Sequence, residues 1–374
     1  MHVMHVISAL QLGGAERVAI DLAIHHARDG LCSAVVAIRE PNKDDDPVGA
    51  HLRAVLQENQ IPFFEIGSAP FRVDLAKLPF RLCRLIDRYS PDLVHSHTDV
   101  PDFVVSGARR LRRFRVARTI HNTALWETHW AAGYVTEQGL KDDLIIGVSN
   151  DALTSYKTLR QKYGLSASRH QRVIRNGVRI PPRDQVGREK SATIQCARLR
   201  VAFFGRAAPS KGLDVLIQAL KTRSDKKDFP FELFIFSDAA QDHGFRQRLA
   251  PLADVVHLSP PIPNAADLMS QFDVVVMPSR AEGLPLVALE ALAAKTPVLA
   301  TQIPGLREVF PLDWPLFVPS EDPEALMNML FAVGRGAFDL GKLGGIGYEH
   351  VQRYSSEVCS QAYLESYREY LARD

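Results

Sequence analysis

Residues 274–301 read VVVMPSRAEGLPLVALEALAAKTPVLAT. A short β-branched run, Val274–Met277, leads through a polar loop into a helical pattern of apolar residues, Leu284–Ala294, and then into a second apolar run, Pro297–Ala300. This order predicts two parallel strands joined by a crossover helix. Because both strands are apolar almost throughout, we expect them to be buried on both faces of an α/β sheet.

The same alternation extends along the whole chain and predicts two α/β domains. Proline, glycine and charged residues interrupt it at Arg175–Lys190, which is typical of a linker. We therefore predict an N-terminal domain over residues 1–180, a second domain over residues 181–355, and a final helix over residues 356–374 that packs back toward the first domain. The further predicted strands are His2–Leu10, Ser33–Ile38, Asp92–Ser96, Arg115–Ile120, Leu144–Val148, Val201–Phe204, Glu232–Phe236 and Val255–Leu258, and the further predicted helices are Ala15–Arg28, Leu75–Tyr89, Gly212–Leu220, Glu324–Val333 and Val358–Leu371.

Composition narrows the class of protein. The 374 residues carry 45 Lys and Arg against 43 Asp and Glu, a formal net charge of +2. Such a balance gives no strong field that would attract nucleic acid. The four cysteines include no Cys-x-x-Cys pair, which favours reduced thiols in a reducing compartment. No apolar stretch reaches the roughly 18–20 residues of a membrane span, and the first residues lack the basic segment of a signal peptide. We expect a cytoplasmic protein without a nucleic-acid partner.

The loop after Val274–Met277 has the residues of an anion and diol site. Ligands of a parallel sheet bind outside the carboxyl ends of its strands, where this loop lies. Gly283 lets a ligand approach the backbone, and the amides of Gly283 and Leu284 at the predicted helix start can hold a diphosphate. Glu282 and Glu290 are eight residues apart, about 2.2 helical turns, so both carboxylates can face one ligand. An amphipathic helix with one exposed glutamate at each end is the alternative interpretation.

A second loop with the same placement follows the predicted strand Val201–Phe204. It carries Gly205 and Arg206, and then Lys211 before a helix. An arginine fork and a lysine point charge suit the two phosphates of a diphosphate. Two ordinary solvated cations would produce the same sequence, but two such loops, each directly after a strand, argue against coincidence.

The predicted N-terminal domain offers glycines and histidines at its strand ends. Gly13 and Gly14 stand between the first strand and the first helix, where a turn can approach a phosphate or sugar; they do not form the GxGxxG of a dinucleotide site. His121 follows a strand and is a candidate site residue. His95 and His97 also stand at a strand end and are candidates to line an acceptor side. We expect no metal there, because no third ligand is evident nearby.

In this order, the motifs resemble those of glycosyltransferase family 4, which comprises retaining enzymes of the GT-B fold. The resemblance spans nearly the whole chain and implies two Rossmann-like, doubly wound parallel-sheet domains that face each other across a cleft. It places Glu282 near the donor sugar, Glu290 on the ribose, and Arg206 and Lys211 on the donor phosphates. The chain departs from the family at Pro304, which replaces the first glycine of a Gly-Gly-x-x-Glu loop, and at Lys295, where a glycine is common.

The resemblance assigns the remaining candidates as well. The loop with Gly13 and Gly14 would face the donor and the acceptor, and His121 would lie close to the reacting sugar, to orient the donor or assist the transition state. The implied catalytic residues are His121, Glu282, Arg206 and Lys211; the donor-binding residues are Gly14, Gly205, Arg206, Lys211, Glu282, Gly283, Leu284 and Glu290; and the acceptor side contains Gly13 and His97.

The implied reaction moves a sugar, with retention, from a nucleotide-diphosphate sugar to an acceptor hydroxyl. UDP is the commonest nucleotide in the family, and the acceptor is a polysaccharide, a lipid-linked intermediate or a small molecule. We expect no cofactor and no metal, because Arg206, Lys211 and backbone amides would stabilise the leaving diphosphate. The Asp44–Asp46 run contains an Asp-x-Asp pattern, but in a polar loop rather than after a strand. A nucleotide-sugar epimerase or hydrolase of the same fold and a non-enzymatic nucleotide-sugar sensor stay open.

A basic cluster, Arg109–Arg118 (RRLRRFRVAR), holds six arginines in ten residues. Near an anionic lipid surface each such cation contributes about 1 kcal/mol, and a lipid-linked acceptor would fit this location. A solvated helix end that leads into the next strand is the alternative. The sequence therefore leaves open a peripheral contact with the inner face of a membrane.

Overall fold

The computed structural model describes residues 1–39, 47–68, 74–186, 198–222 and 229–373. The chain forms two compact units, one of Met1–Gly177 with Ser356–Asp374 and one of Val178–Ser355. The boundary between the units falls inside the linker predicted at Arg175–Lys190. Residues 187–190 of that linker lie outside the described residues, and so does Asp44–Asp46.

The first unit is built on a seven-stranded parallel sheet. Its strands lie in the spatial order β3-β2-β1-β4-β5-β6-β7, with β1 His2–Ile7, β2 Cys32–Ala37, β3 Phe63–Glu65, β4 Leu93–His97, β5 Val116–Ile120, β6 Leu144–Gly147 and β7 Gln171–Val173. Between the strands run the helices α1 Gly14–Arg28, α2 Pro47–Glu58, α3 Leu78–Tyr89, α4 Asp99–Arg109, α5 Trp130–Gly139 and α6 Asn150–Lys162.

The second unit repeats this plan with a six-stranded parallel sheet. Its order is β10-β9-β8-β11-β12-β13, with β8 Leu199–Phe204, β9 Phe231–Phe236, β10 Val256–Ser259, β11 Val274–Met277, β12 Val298–Thr301 and β13 Phe317–Val318. Its helices are α7 Leu213–Lys221, α8 His243–Leu249, α9 Ala265–Met269, α10 Leu286–Ala293, α11 Pro304–Arg307, α12 Pro323–Gly334 and α13 Leu340–Val351, and the chain ends with α14 Ser356–Leu371.

Each sheet reverses its strand order once, between β1 and β4 in the first unit and between β8 and β11 in the second. At such a point the connections leave the two adjacent strands toward opposite sides, so a crevice opens at the carboxyl ends. The loops that follow β8 and β11 carry the predicted donor-binding motifs. The fold therefore places those motifs where a doubly wound sheet binds its ligand.

Helix α14 belongs to the first unit although it comes last in the sequence. The hydroxyl of Tyr367 lies 2.6 Å from Nδ1 of His95 on β4, and the hydroxyl of Tyr363 lies 3.1 Å from Oγ1 of Thr119 on β5. Both tyrosine side chains are fully buried. A polar layer of tyrosine and histidine therefore joins this helix to the sheet. Within the described ranges, no helix is both long and apolar enough to cross a membrane.

Helix α13 lies where the sequence predicts none, because its glycines lower helix propensity. A Cβ at Gly344 would lie 2.2 Å from the carbonyl oxygen of Lys295, and a Cβ at Gly347 would lie 2.6 Å from the side chain of Leu292. The glycines thus let α13 pack tightly against α10 and the residues that follow it. This tertiary requirement overrides the local preference.

Candidate functional site

Lys211 and Glu282 join the two loops at the switch point of the second sheet. Nζ of Lys211 lies 2.8 Å from each carboxylate oxygen of Glu282, and Oγ of Ser279 donates to the same carboxylate at 2.8 Å. The Glu282 side chain is 6% exposed, whereas that of Lys211 is 28% exposed. A buried carboxylate therefore holds in place a cation that solvent and ligands can reach.

Two glycines allow this close approach. Gly212 has a φ of +65°, and a Cβ there would lie 1.9 Å from the carbonyl oxygen of Pro278. A Cβ at Gly305 would lie 2.1 Å from the carbonyl oxygen of Glu282. Because the atoms that a side chain would meet are main-chain atoms, the loops would have to separate to accommodate one. The position of Glu282 therefore depends on both glycines.

Arg280 braces the same loops, a role that the sequence analysis missed. Its guanidinium makes a bidentate pair with Asp214 at 2.8 and 2.7 Å, bonds Glu321 at 2.7 Å and donates to the carbonyl of Pro209 at 2.7 Å. Hydrogen bonds to the two carboxylates, Asp214 above all, raise the pKa of Arg280 above its ordinary value. The protein itself compensates this charge, so Arg280 serves to fix the loops.

The helical spacing proposed for Glu282 and Glu290 is wrong in its geometry. Helix α10 begins at Leu286 with Pro285 at its N-cap, so Glu282 lies in the preceding loop and only the half-buried Glu290 is helical. Gly283 and Leu284 are buried in that loop and do not start the helix. The amides that have no intrahelical partner are instead those of residues 286–288.

Gly205 and Arg206 directly follow β8. The amide of Gly205 donates to the carbonyl of Phe236 at 3.1 Å, and the amide of Ala207 donates to Asp238 at 2.7 Å, which fixes the backbone of this loop. The Arg206 side chain is exposed and forms no ion pair with any part of the chain that the structure describes. It is thus a cation available to an anionic ligand.

Gly13 and Gly14 stand where the chain passes from β1 into α1, as the sequence predicts. Gly13 is the N-cap of α1 with extended backbone, and Gly14 is the first residue of the helix. Neither has a positive φ. A Cβ at Gly13 would lie 1.9 Å from a carboxylate oxygen of Glu16, whose side chain is buried. Gly13 therefore makes room for the Glu16 side chain.

Three histidines form a hydrogen-bonded chain that runs inward from the end of β5. Nε2 of His121 lies 3.1 Å from Nδ1 of His97, and Nε2 of His97 lies 3.2 Å from Nδ1 of His5. His121 is half-buried, whereas His97 and His5 are 1% and 0% exposed. His97 belongs to strand β4 and is buried, so it cannot itself line an acceptor surface as predicted.

The expectation that His95 and His97 have no third ligand nearby is wrong. Nitrogen atoms of His5, His95 and His97 lie within 4.8 Å of one another, and all three residues are buried. The two ring nitrogens of His95 already bond Thr119 at 2.8 Å and Tyr367 at 2.6 Å, and those of His97 bond the neighbouring histidines. A cation at this place would have to break those bonds.

Burial keeps this cluster neutral. Desolvation lowers the pKa of His5 and of His121 to about 3, and together with the neighbouring histidines it lowers the pKa of His95 and of His97 well below the ordinary value. A neutral imidazole carries one N–H and one bare nitrogen. His121 can therefore donate or accept one hydrogen bond at its outer nitrogen, without a positive charge.

Asp99 is a second candidate that the sequence analysis missed. It is half-buried at the start of α4, and the amide of Trp126 donates to it at 3.4 Å. Burial, followed by the charge of Asp102, raises the pKa of Asp99 to about 6. The adjoining Thr98 and Trp126 have φ angles of +79° and +55°, and strained backbone of this kind clusters at functional sites. In the sequence, Asp99 is an ordinary acid before a helix, so no pattern singles it out.

The basic cluster Arg109–Arg118 is largely engaged within the first unit. Arg118 is 1% exposed and bonds Asp102 at 2.7 Å and Glu137 at 2.6 Å, so its place in a docking patch is wrong. Arg109 pairs with the buried Asp143. The exposed members that follow Arg109 are Arg110, Arg112 and Arg113, and Arg112 pairs with Asp87 at 3.1 Å.

Two family profiles match the chain. The one described as Glycosyltransferase Family 4 matches residues 12–180, and the one described as Glycosyl transferases group 1 matches residues 198–333. The first match thus runs from the loop before α1 to the end of the first unit's main segment and includes His97 and His121, and the second contains both loops that join at Lys211 and Glu282.

Curated relatives and solved structures agree with these matches. A D-inositol 3-phosphate glycosyltransferase of Rhodococcus erythropolis is 27% identical over 393 residues, which cover 95% of this chain and 86% of that protein. One of Paenarthrobacter aurescens is 34% identical over 197 residues, 49% of this chain and 47% of that protein. Anabaena HepE, solved with UDP and glucose, matches with a TM-score of 0.79 at 19% identity, over 99% of this chain and 100% of that chain. Sucrose-phosphate synthase of Thermosynechococcus elongatus matches with a TM-score of 0.76 at 20% identity over 100% of both chains. The fold is therefore GT-B.

Proposed function

Since the chain belongs to glycosyltransferase family 4, we propose that it transfers a sugar from a UDP-sugar to an acceptor hydroxyl with retention of the anomeric configuration. Anabaena HepE has been solved with UDP and with UDP-glucose. This supports a uridine diphosphate donor for the present chain.

The pair of Lys211 and Glu282 carries this proposal. The ammonium group is partly exposed at the switch point, and the exposed Arg206 stands on the same loop. Both cations would bind the diphosphate, and their interaction would strengthen as the bond to the sugar breaks and negative charge develops on the leaving oxygen. Glu282 fixes the ammonium beneath the diphosphate and supplies negative charge close to the sugar, whose anomeric carbon becomes more positive in the transition state.

The same contacts bear on the stereochemistry. Glu282 is already bound by Lys211 and Ser279, so we assign it no role as a nucleophile. In the proposed step the acceptor oxygen bonds to the anomeric carbon on the face from which the diphosphate leaves, and the departing phosphate oxygen takes the hydroxyl proton. One carbon–oxygen bond forms, one breaks, and the configuration is retained.

Fixed cations make a metal ion unnecessary in this proposal. Lys211 and Arg206 supply the positive charge that a divalent ion would otherwise bring to a leaving diphosphate. We expect turnover to be unchanged after exhaustive treatment with a chelator, measured against the same protein with added magnesium. A loss of turnover that magnesium restores would contradict the metal-free mechanism.

The acceptor is proposed from the relatives. The relative that aligns along 95% of this chain is named for D-inositol 3-phosphate, so this compound is the first acceptor to test. In the first unit, Asp99 and His121 offer a carboxylate and an imidazole that can bind an acceptor or donor hydroxyl. Other polyol phosphates and free sugars are the comparison acceptors.

A lipid-linked acceptor would require a docking face. Arg110, Arg112 and Arg113 are exposed, and Leu111 and Val135 are 40% and 39% exposed beside them; Arg110 bonds the carbonyl of Val135 at 3.1 Å. Sedimentation with anionic vesicles tests this face, with neutral vesicles as the control. Binding that is lost in an Arg110→Gln, Arg113→Gln double variant supports docking, and equal sedimentation with both vesicle types argues against it.

Product analysis tests the function itself. The purified protein is given a UDP-sugar and an acceptor, and the anomeric coupling constant of the product is measured. A glycoside with the configuration of the donor supports the proposal. Free sugar alone would indicate a hydrolase, an altered nucleotide sugar would indicate an epimerase, and tight UDP-sugar binding without any turnover would indicate a sensor.

A further inference from the structure

The chain of His121, His97 and His5 has a geometry that couples the protonation sites of its members. Two contacts join successive rings, at 3.1 and 3.2 Å, and each joins one ring nitrogen to one ring nitrogen. The chain ends at Nε2 of His5, which is buried and has no hydrogen-bond partner among the described residues. At the other end stands Nδ1 of His121, on a half-buried side chain.

Neutral rings leave only two arrangements of the protons. Each ring has one N–H, and each contact needs one donor and one acceptor. If His121 donates inward from Nε2, then His97 must donate to His5, and an N–H stays unpaired at Nε2 of His5. If His5 donates outward from Nδ1, then His97 donates to His121, and Nδ1 of His121 carries the N–H.

The buried end discriminates between the two arrangements. Among buried backbone groups, orphaned N–H donors are rarer than under-satisfied carbonyl acceptors, and we apply the same preference to the ring nitrogens. The outward arrangement leaves only a lone pair at the buried nitrogen of His5, whereas the inward one buries an unpaired N–H there. Burial also lowers the pKa of both terminal rings to about 3, which excludes an extra proton near pH 7.

We propose that His97 and His5 are positioning residues that hold His121 as a neutral imidazole with its proton on Nδ1. His121 then presents a fixed N–H donor at the end of β5. This inference rests on the proposed function in one respect, the identity of the group that accepts this hydrogen bond. That group is a hydroxyl or ring oxygen of the sugar substrates. Neither positioning residue touches a substrate, because both are buried.

Two further histidines lie in the same buried layer but are not members of the hydrogen-bonded chain of His121, His97 and His5. His26 stacks on His5 with 6.3 Å between ring centroids and bonds the carbonyl of Ser360 through Nε2 at 3.2 Å. His95 bonds Thr119 and Tyr367. His26 is therefore a matched control: it is buried in the same layer and contacts His5, but it has no hydrogen bond to His5, His97 or His121.

The direct test reads the tautomer rather than the activity. Proton–nitrogen correlation spectra of the full chain, labelled with nitrogen-15 at its histidines, distinguish an Nδ1–H from an Nε2–H ring. The signals of His121 are identified by their loss in His121→Asn. We expect an Nδ1–H ring for His121 in the unmodified protein. An Nε2–H ring or a charged ring there would overturn the proposal, even if no variant of the buried His5 or His97 folds.

Variants test the coupling. In His5→Phe and His97→Phe we expect His121 to change to the Nε2–H form or a mixture, and His97→Gln should restore Nδ1–H because an amide can accept from His5 and donate to His121. The His26→Phe control should leave His121 unchanged. An unchanged tautomer in His5→Phe, or a stoichiometric metal ion found with the histidines in the purified protein, would contradict the proposal.

Kinetics give the consequence for the proposed reaction. In His5→Phe we expect kcat to fall about fivefold, which corresponds to the loss of one hydrogen bond between neutral groups. We expect KM for the donor to change by less than about twofold, because the lost interaction is made in the transition state. If the unmodified protein shows no transfer at all, the proposed function fails while the spectra still decide the tautomer. If transfer occurs and the tautomer does not respond to His5, only the positioning role fails.

Discussion

Replacing Lys211 with alanine should lower both the stability of the second unit and the rate of sugar transfer. The substitution removes the cation that lies 2.8 Å from both oxygens of Glu282. The carboxylate that stays behind is only 6% exposed and keeps the hydrogen bond from Ser279. Breaking a buried pair costs about 3–5 kcal/mol. Because Lys211 is 28% exposed, water screens the pair, and we expect a loss of about 2 kcal/mol, near the value for one hydrogen bond to a charged group.

Calorimetry of thermal unfolding measures this loss. For a unit of this size, about 2 kcal/mol corresponds to a Tm lower by about 4–8 °C. A Lys211→Met, Glu282→Gln double variant removes both charges and should recover most of the stability, because no unpaired carboxylate stays buried. Both proteins should transfer sugar at least about a hundredfold more slowly, since the cation under the leaving diphosphate is absent from each.

The control is Lys221→Ala, which removes an exposed lysine at the end of α7. It should unfold and turn over like the unmodified protein. If Lys211→Ala behaved like this control in both assays, Lys211 would have neither the structural nor the catalytic role assigned to it. The catalytic role would also be refuted if the double variant recovered activity together with stability, because the lysine would then act only on the fold.

Three further predictions follow from other parts of the molecule. Gly212→Ala should lower the free energy of unfolding by more than about 1 kcal/mol and weaken UDP binding, because its Cβ would lie 1.9 Å from the carbonyl oxygen of Pro278. The control is Gly336→Ala, at a φ of +79° with open space around it, and urea titration should show a smaller loss of unfolding free energy for this control. Arg118→Met should destabilise the first unit by about 3–5 kcal/mol, because Asp102 stays buried without its cation and Glu137 keeps only its pair with Arg160, and hydrogen exchange of the β5 amides would check this. Burial raises the pKa of Asp99 in the folded protein from 3.8 to about 6, so between these values the native state binds more protons at this group than the unfolded state does. The contribution of Asp99 to the free energy of unfolding therefore falls as pH rises from about 4 to 6. Asp99→Asn should flatten the slope of the free energy of unfolding against pH in this range, and an unchanged slope would show that Asp99 does not titrate as inferred.

The central strands of both sheets were predictable because their residues have the composition of buried parallel strands, whereas the short strands β3, β7 and β13 were not predicted. Val274–Met277 is apolar throughout and Val298–Thr301 is apolar up to its last residue, and both lie within one residue of their predicted bounds. Elements that depend on tertiary packing were not predictable in this way. Helix α13 forms despite its glycines because they fit against Lys295 and Leu292, and a single sequence carries no sign of those neighbours.

The candidate site was predictable in its location but not in its internal bonds. The placement of Gly205–Lys211 and Glu282 after strands locates them at the switch point, a consequence of topology alone. The pairing of Lys211 with Glu282 is not visible from the sequence, because 71 positions separate them. The brace at Arg280 and the strained backbone beside Asp99 likewise depend on loops whose conformation no periodic pattern determines.

The contacts of the histidines in the first unit were also not predictable from the sequence. His97 was predicted to line an acceptor side because it stands at a strand end, but its side chain is buried and contacts His5 and His121. His5 lies on β1, opposite His95 in the register of β1 and β4. Only that register reveals the third histidine of the chain.

The most direct measurement compares the binding of UDP and of uridine by calorimetry in the unmodified protein and in Lys211→Ala with Arg206→Ala. If the cations Arg206 and Lys211 on the loop after β8 bind the diphosphate, UDP should bind the unmodified protein far more tightly than uridine, and the double variant should lose that difference. Equal affinity for UDP and uridine in the unmodified protein, or an undiminished difference in the double variant, would place the diphosphate elsewhere.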